Sequence, residues 1–190
     1  MSVAMEDFPR RHRITVDEYH HMAQVGLIAP DARVELIEGV IVDMPPIGSR
    51  HTSAVNRLNR LLIQAVEGRA IVQCQGSVRL DGFSEPQPDF ALLAPREDFY
   101  EHRHPTPADA LLVIEVSDSS VQYDSGPKMS LYARHGIPEL WVFDIKGRKL
   151  LSFRNPVGAA YEEMQASELP GIVTIASLPD ISIDLSSLYR

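Results

Sequence analysis

One segment, residues 110–116, constrains the fold of this chain more than any other, because it is almost wholly apolar. The single exception is Glu115, which interrupts the run ALLVIEV. An apolar run of this length is typical of a strand that is buried on both faces of a sheet. Burying a carboxylate without a partner is costly, so Glu115 is a candidate functional residue. If Glu115 has only a structural role, its carboxylate has to be paired with another group.

The residues after this strand predict a helix and a second buried strand. The helix is predicted over residues 124–135, with Asp124 as its cap, Pro127 in its first turn and Gly136 after its end. Residues 140–143, LWVF, are again apolar. A strand, a helix and a strand in this order predict a right-handed crossover that joins two parallel strands.

The N-terminal half predicts a short helix, a hairpin and a longer helix. Residues 15–25 begin with Thr15 and have Glu18 three positions later, which is the pattern of a capping box. Residues 33–44 predict a β-hairpin, and residues 51–67 repeat apolar side chains at helical spacing. The predicted class is α/β (α+β): a central mixed β-sheet flanked by helices, with an added N-terminal helix and β-hairpin.

Length and charge narrow the classes of function. A chain of 190 residues predicts a single domain over residues 1–190, with residues 1–12 flexible. The net charge is −8, so the strongly basic composition typical of nucleic-acid-binding proteins is missing, and such a partner has to be argued from a site. No apolar run approaches the ~20 residues that cross a bilayer, and the N-terminus does not resemble a secretory signal. We therefore expect a cytoplasmic protein with no membrane partner.

Three further charged residues stand out beside Glu115. Glu35 lies in the first strand of the hairpin, and Asp89 lies just before a short apolar strand over residues 90–93. Lys128 falls on the helix that follows Glu115. Each has an ordinary alternative: Glu35 can face solvent in a cross-strand pair, Asp89 can be a turn residue, and Lys128 can be a solvated helix lysine.

Acids at the ends of neighbouring strands can converge on one point. Carboxylate oxygens suit hard divalent cations such as Mg²⁺ or Mn²⁺. A cation of this kind polarises a phosphodiester and lowers the pKa of a bound water. A nearby ammonium stabilises the negative charge that develops on the phosphate oxygens. Two or three acids with one lysine are therefore the set that metal-dependent phosphodiester hydrolysis requires.

Several separate segments carry a family resemblance. The segments PQPDF, LLVIEVSDSS and DSGPKMSLYARHGIPELWVFD resemble the motifs of the PD-(D/E)xK nucleases, and more closely those of the Uma2 family (DUF820) of restriction-endonuclease-like proteins. The segment VELIEGVIVDMPP, followed by His51, is similar to the hairpin and the next helix of that family. The resemblance runs from about residue 15 to residue 188. It implies a restriction endonuclease-like fold and a DNA endonuclease that uses Mg²⁺ or Mn²⁺.

The resemblance also implies roles for individual residues. Asp89 matches the aspartate of the PD motif, and Glu115 matches the acid of the (D/E)xK strand. Both carboxylates would bind the metal, together with the backbone carbonyl of Val116. Ser117 stands where the simple motif has its lysine. In the family the lysine is displaced onto the following helix, where Lys128 matches it.

Glu35 corresponds in this resemblance to the acid of the first core element, which can bind a metal or a water. His51 is expected near the opening of the same site, as an auxiliary residue. The implied catalytic set is therefore Glu35, Asp89, Glu115 and Lys128. The implied reaction is hydrolysis of a DNA phosphodiester by metal-activated water.

Two other functions fit the same residues. The first is a catalytically silent interaction or regulatory module that retains the nuclease fold, which the acidic net charge and Ser117 favour. The second is a metal phosphoesterase that acts on RNA or small phosphates. By analogy with nucleases of this fold we expect a homodimer, and the sequence has no nucleotide-binding motif that would predict a nucleotide cofactor. Tyr132 and Trp141 are predicted to pack in the core or at its rim.

The remaining metal-binding residue types do not predict a site. Cys74 is the only cysteine, which excludes an intrachain disulfide and a cysteine-only zinc site. Its flanks, Ile71, Val72, Gln73 and Gln75, indicate a strand, so we predict a buried thiol. The pairs His20-His21 and His102/His104 superficially resemble metal-ligand spacing. They lie in charged segments with no carboxylate at zinc-like spacing, so we predict exposed histidines without a metal.

Overall fold

The computed structural model describes residues 11–169 and 171–188, so the predicted flexible segment 1–12 lies almost entirely outside the described residues. The described part contains α-helices and strands, which are α1 Val16–Gln24, β1 Val34–Ile37, β2 Val40–Asp43, α2 Ser49–Val66, β3 Ile71–Cys74, β4 Phe90–Leu93, β5 Ala110–Ser117, α3 Val121–Tyr123, α4 Met129–Arg134, β6 Glu139–Asp144, β7 Lys149–Val157, β8 Ala160–Glu168, β9 Ile172–Ile175 and β10 Leu178–Asp184. None of the described helices is long and apolar enough to span a membrane.

A mixed sheet of six strands forms the centre of the fold, in the order β3-β4-β5-β6-β7-β8. Strands β5 and β6 are parallel, whereas the other neighbouring pairs are antiparallel. Seven of the eight residues of β5 are buried, which confirms the buried strand predicted over residues 110–116. The parallel pairing of β5 with β6 confirms that a crossover joins them, as the spacing predicts.

Apolar side chains cover both faces of this sheet. On one face the buried side of α2 packs with the β9–β10 hairpin against strands β4, β5 and β6. On the other face α4 packs with Tyr100 against the same central strands. Burial of both faces is what makes a near-continuous apolar run necessary in β5. The predicted class, a mixed sheet flanked by helices, is confirmed.

The N-terminal helix and hairpin form an added unit at one end of this sheet. Thr15 caps α1 through the predicted capping box with Glu18. The β1–β2 turn has positive φ at both of its central residues, including 81° at Gly39, which a tight hairpin of this type needs. The unit is tied to the chain beyond β3 because Glu85 N donates to Leu36 O at 2.8 Å. This tie brings the first hairpin strand beside the segment that leads into β4.

The crossover helix differs from its predicted boundaries. It begins at Val121, and a π-helical turn over Asp124–Lys128 separates α3 from α4. Asp124 is not the cap, because the residue that precedes the helix is Ser120 and Asp124 is buried inside it. Pro127 has no N–H to donate, so the regular helical bonding of that turn is interrupted. The wider turn lies next to the candidate site, as π turns often do.

Cys74 is exposed, so the prediction of a buried thiol is wrong. It is the last residue of β3, and β3 is an edge strand of the sheet. An edge strand keeps one side open to solvent, which the strand pattern around Cys74 does not reveal.

Candidate active site

A cleft of about 590 Å³ opens where β4 begins and β5 ends. The β1–β2 hairpin, the start of α2 and the π turn form its other walls. Because β4 and β5 are antiparallel, the residue before β4 and the last residues of β5 lie next to each other, at the same end of the two strands. The cleft is lined by every residue that the sequence predicts for the site, namely Glu35, His51, Asp89, Glu115, Val116 and Lys128.

Lys128 lies at the centre of the charged groups in this cleft. Its Nζ is 3.1 Å from Glu35 Oε2 and 3.1 Å from Glu115 Oε1. All three side chains are buried, with 6% or less of each exposed. Burial lowers the pKa of Lys128, but the carboxylates of Glu115 and Glu35 outweigh it and raise that pKa above its usual value. The alternative of a solvated helix lysine is wrong, and the ammonium is charged at neutral pH.

Glu115 is held by two side chains of the crossover helix. Besides Lys128, the Tyr132 hydroxyl donates to Glu115 Oε1 at 2.7 Å. Burial raises the pKa of Glu115 to about 8, and the carboxylates of Asp124 and Asp89 add to this against the effect of Lys128. Tyr132 is fully buried, as predicted, but the sequence did not predict its hydrogen bond to the site. The sequence does indicate this contact, since Tyr132 lies one helical turn after Lys128 and therefore on the same face of the helix.

Glu35 faces the interior and not solvent. Only 3% of its side chain is exposed, and besides Lys128 it accepts a hydrogen bond from Gln87 N at 3.1 Å. The solvent-facing alternative for Glu35 is therefore wrong. Alternation along β1 does not predict this, because Glu35 and its neighbour Leu36 are both buried. The segment before β4 covers the strand on the face that alternation would leave open.

Asp89 is bonded from three directions. Its Oδ2 accepts from Val116 N at 2.9 Å and lies 3.2 Å from His51 Nε2. The Gln75 amide donates to Oδ1 at 3.4 Å. The hydrogen bond to Asp89 raises the pKa of His51, although burial opposes it. Asp89 thus joins the end of β5 to the start of α2. A residue that only shaped a turn would not make these contacts.

Ser117, at the motif position of the lysine, does not line the cleft. It is fully buried, and its hydroxyl donates to Asp124 Oδ2 at 2.6 Å. The Ser120 hydroxyl donates to the same oxygen at 2.5 Å. Asp124 therefore anchors the π turn to β5. This anchoring positions Lys128, the last residue of that turn, over Glu115.

The donors of the cleft suit a hard divalent cation. The carboxylates of Asp89 and Glu115, with the Val116 carbonyl, offer oxygen alone, which is the donor type that Mg²⁺ and Mn²⁺ prefer. Burial is the main cause of the raised pKa of Glu115, and the nearby carboxylates of Asp124 and Asp89 add to it, so a cation beside Glu115 would favour its ionised form. Glu35 and Glu115 each have one oxygen engaged: Glu35 Oε2 by Lys128 and Gln87 N, and Glu115 Oε1 by Lys128 and Tyr132.

A second group of ionisable side chains lies outside the cleft, and we call it the histidine cluster. It consists of His20, Glu85 and His104, whose ligand atoms all lie within 4.8 Å of one another. Sequence spacing offers these histidines no carboxylate, but the fold places Glu85 beside His20 and His104. The carboxylate comes from a segment far from both histidines in the sequence, so local spacing could not reveal it.

Comparison with known proteins agrees with the resemblance. The Uma2 family model, described as "Putative restriction endonuclease", matches residues 16–186. A crystal structure of "a putative nuclease belonging to DUF820" from Anabaena variabilis ATCC 29413 is similar, with a TM-score of 0.70 and 18% sequence identity. The similarity covers 93% of this chain and 97% of that chain, and at this identity it establishes the shared fold. No curated protein matches the sequence. Because the family model spans most of the chain, the protein belongs to the Uma2 family of the restriction endonuclease type.

Proposed function

We propose that this protein is a divalent-metal-dependent endonuclease that hydrolyses DNA phosphodiester bonds. The observation that carries the proposal is the buried ammonium of Lys128, 3.1 Å from both Glu35 and Glu115 in a cleft that Asp89 also lines. Acids and one lysine in a single cleft are the chemical requirement for this hydrolysis.

Asp89, Glu115 and the carbonyl of Val116 would hold Mg²⁺ or Mn²⁺. When bound, such a cation supplies Lewis-acid polarisation of the phosphodiester and an activated water. Asp89 is kept in place by the backbone N–H of Val116 and by His51. His51 is therefore an auxiliary positioning residue, because it acts through Asp89.

Lys128 would stabilise the negative charge that develops on the phosphate oxygens. Its side chain is buried and bonded at two points, so little reorganisation is needed when that charge appears. Glu35 serves as the auxiliary acid that keeps Lys128 charged and oriented. Tyr132 has the corresponding positioning role for Glu115.

A surface beside the cleft supports a nucleic-acid substrate despite the net charge of −8. Helix α2 has no acidic residue in its 18 positions. Its outer side lines a shallow groove that includes the exposed Arg60 and the half-buried Arg57, which also donates to Ser187 O at 2.9 Å. Ile47 lines both this groove and the cleft, so the two are adjacent. We propose that the DNA backbone follows this groove towards Lys128.

Cleavage of plasmid and duplex oligonucleotide with Mg²⁺ or Mn²⁺ tests the proposed reaction. We expect Asp89→Asn to reduce the cleavage rate at least about a hundredfold, because it weakens the metal-binding acid. Asp180→Asn, at an exposed position paired with Arg69, is the matched control and should cleave like the wild type. No cleavage by the wild type, or equal cleavage by wild type and Asp89→Asn, would contradict the proposal.

The salt dependence of DNA binding tests the proposed groove. Arg57→Gln and Arg60→Gln should each reduce the slope of log affinity against log salt by about 1, since each removes one phosphate contact. Arg69→Gln is the control, because Arg69 is paired with Asp180 outside the groove. Equal slopes in all three variants would exclude this groove as the DNA path.

One observation favours a second candidate, the catalytically silent module. The motif position of the lysine holds Ser117, which bonds to Asp124 and does not line the cleft. A module of this kind would bind DNA or a protein without cleaving it. The metal phosphoesterase remains an alternative that RNA and small phosphate esters in the same assay would detect. The homodimer stays a prediction, which sedimentation equilibrium would test.

A further inference from the structure

The histidine cluster joins three segments that are distant in the sequence. His20 comes from α1, Glu85 from the chain between β3 and β4, and His104 from the chain between β4 and β5. His20 Nε2 lies 2.8 Å from Glu85 Oε1, and the two imidazole rings have centroids 5.7 Å apart. Two imidazoles and one carboxylate therefore face a common point.

The carboxylate of Glu85 is the unusual member of this cluster. Only 2% of its side chain is exposed, yet its Oε2 has no hydrogen-bond partner among the described residues. An unsatisfied oxygen on a buried acid is costly, so such an atom calls for a further partner. Its backbone is fixed, because Glu85 N donates to Leu36 O at 2.8 Å and the two residues form a β-bridge.

We propose that His20, Glu85 and His104 form a second metal site, selective for a transition-metal ion such as Zn²⁺. Imidazole nitrogen favours Zn²⁺ and its neighbours in the first transition row over Mg²⁺, which prefers oxygen alone. Two histidines and a glutamate are a known zinc-binding combination, and they leave a coordination position for water. The site shares no ligand with the cleft, so it does not depend on the proposed nuclease reaction.

The geometry needs only a local adjustment to hold an ion. Zinc ligands lie about 2.0–2.2 Å from the metal, so ligand atoms around a tetrahedral ion are separated by about 3.4 Å. The distance between His20 and Glu85 is already shorter than this, whereas the full cluster extends to 4.8 Å. His104 is exposed, so its side chain can rotate towards the other two ligands.

The position of the site gives it a role in the fold. A bound ion would fasten α1 to the segment that contains Glu85. Two residues further on, Gln87 N donates to Glu35 Oε2, and Leu36, which pairs with Glu85, follows Glu35 in β1. The ion would therefore stabilise the added N-terminal unit and hold Glu35 beside Lys128.

Zinc binding by the tag-free, chelator-treated chain tests this site. Isothermal titration with Zn²⁺ in the presence of excess Mg²⁺ should give one ion per chain, and Co²⁺ should give visible absorption bands of a nitrogen-ligated ion. His104→Ala should weaken Zn²⁺ binding at least about tenfold. His102→Ala is the matched control, because it removes an exposed histidine two residues away and should leave binding unchanged. Cys74→Ser should also bind like the wild type.

Thermal unfolding gives a second readout that does not depend on activity. Zn²⁺ should raise the Tm of the wild type and of His102→Ala but not that of His104→Ala. Failure of the wild type to bind Zn²⁺ would overturn the proposal and leave a simple ion pair between His20 and Glu85. Binding that survives His104→Ala but is lost in Asp89→Asn would place the ion in the cleft and overturn it as well.

Discussion

The cleft and the histidine cluster lie on either side of the short segment 85–87. They balance the charge of buried carboxylates in different ways. In the cleft a permanent cation, Lys128, contacts Glu35 and Glu115. In the histidine cluster Glu85 contacts His20, and its Oε2 has no hydrogen-bond partner among the described residues. The cleft thus supplies a cation of its own to its carboxylates, whereas the three side chains of the histidine cluster include no lysine or arginine.

Removing Lys128 should produce the largest effect, because it breaks the internal compensation of the cleft. Lys128→Met leaves two buried carboxylates unpaired, so we expect the free energy of unfolding to fall by about 3–5 kcal/mol. Urea denaturation measures this. Adding Glu35→Gln to Lys128→Met should restore part of the loss, since one unpaired charge is then removed. A loss below about 1 kcal/mol, the value typical of exposed pairs, would mean that the cleft is not compensated as described.

The pH dependence of stability should report Glu115. Its pKa is about 8 in the folded protein and 4.5 without the fold, so between these values the folded chain keeps a proton that the unfolded chain has released. Stability contributed by this group is therefore present at low pH and lost as the pH rises towards 8. Urea midpoints of the chelator-treated protein should fall across this window.

Glu115→Gln is the matched variant for this pH effect, because it cannot titrate. It should show a flatter pH profile than the wild type. His51, whose pKa is raised by its hydrogen bond to Asp89, changes stability in the same direction and is common to both proteins. Parallel profiles of wild type and Glu115→Gln would assign the pH dependence to other groups.

Tyr132→Phe should have an intermediate effect. It deletes the hydroxyl that donates to Glu115 Oε1 at 2.7 Å, and above pH 8, where Glu115 is ionised, a hydrogen bond to a charged group contributes about 1.5–3 kcal/mol. Tyr100→Phe is the control, since the Tyr100 hydroxyl donates at 2.8 Å to the neutral carbonyl of Ala94. That substitution should cost about 1 kcal/mol in the free energy of unfolding. Equal losses would show that the charge on Glu115 does not strengthen its hydrogen bond.

Glu85→Gln should have the smallest effect in metal-free protein, and it sharpens the contrast between the two regions. It changes a buried carboxyl group whose one ion-pair partner within residues 11–169 and 171–188 is His20, so we expect the free energy of unfolding to change by less than about 1 kcal/mol. The same substitution at Glu35, which contacts Lys128, should cost several times more. A large loss at Glu85 would show that the histidine cluster is compensated without a metal.

Local patterns predicted much of the fold because the signals of each element are local. The capping box at Thr15, the hairpin after it and the apolar strand around Glu115 are all where the pattern puts them. The start of the crossover helix is an exception. Asp124 has the properties of a cap, but hydroxyls from Ser117 and Ser120 make it a better partner inside the helix. Where a side chain could serve either as a helix cap or inside the helix, its tertiary partners decide which position it takes.

The sequence by itself determined the strand and helix order, the buried position of Glu115 and the acids and lysine worth testing. A charged residue inside an apolar run can be recognised without knowing the fold, because burying such a charge is costly. The tertiary structure alone decided which of them meet. It brought Lys128 between Glu35 and Glu115, and it joined Glu85 to His20 and His104. Contacts between distant segments depend on strand order and on how the hairpin docks, and neither leaves a periodic trace in the sequence.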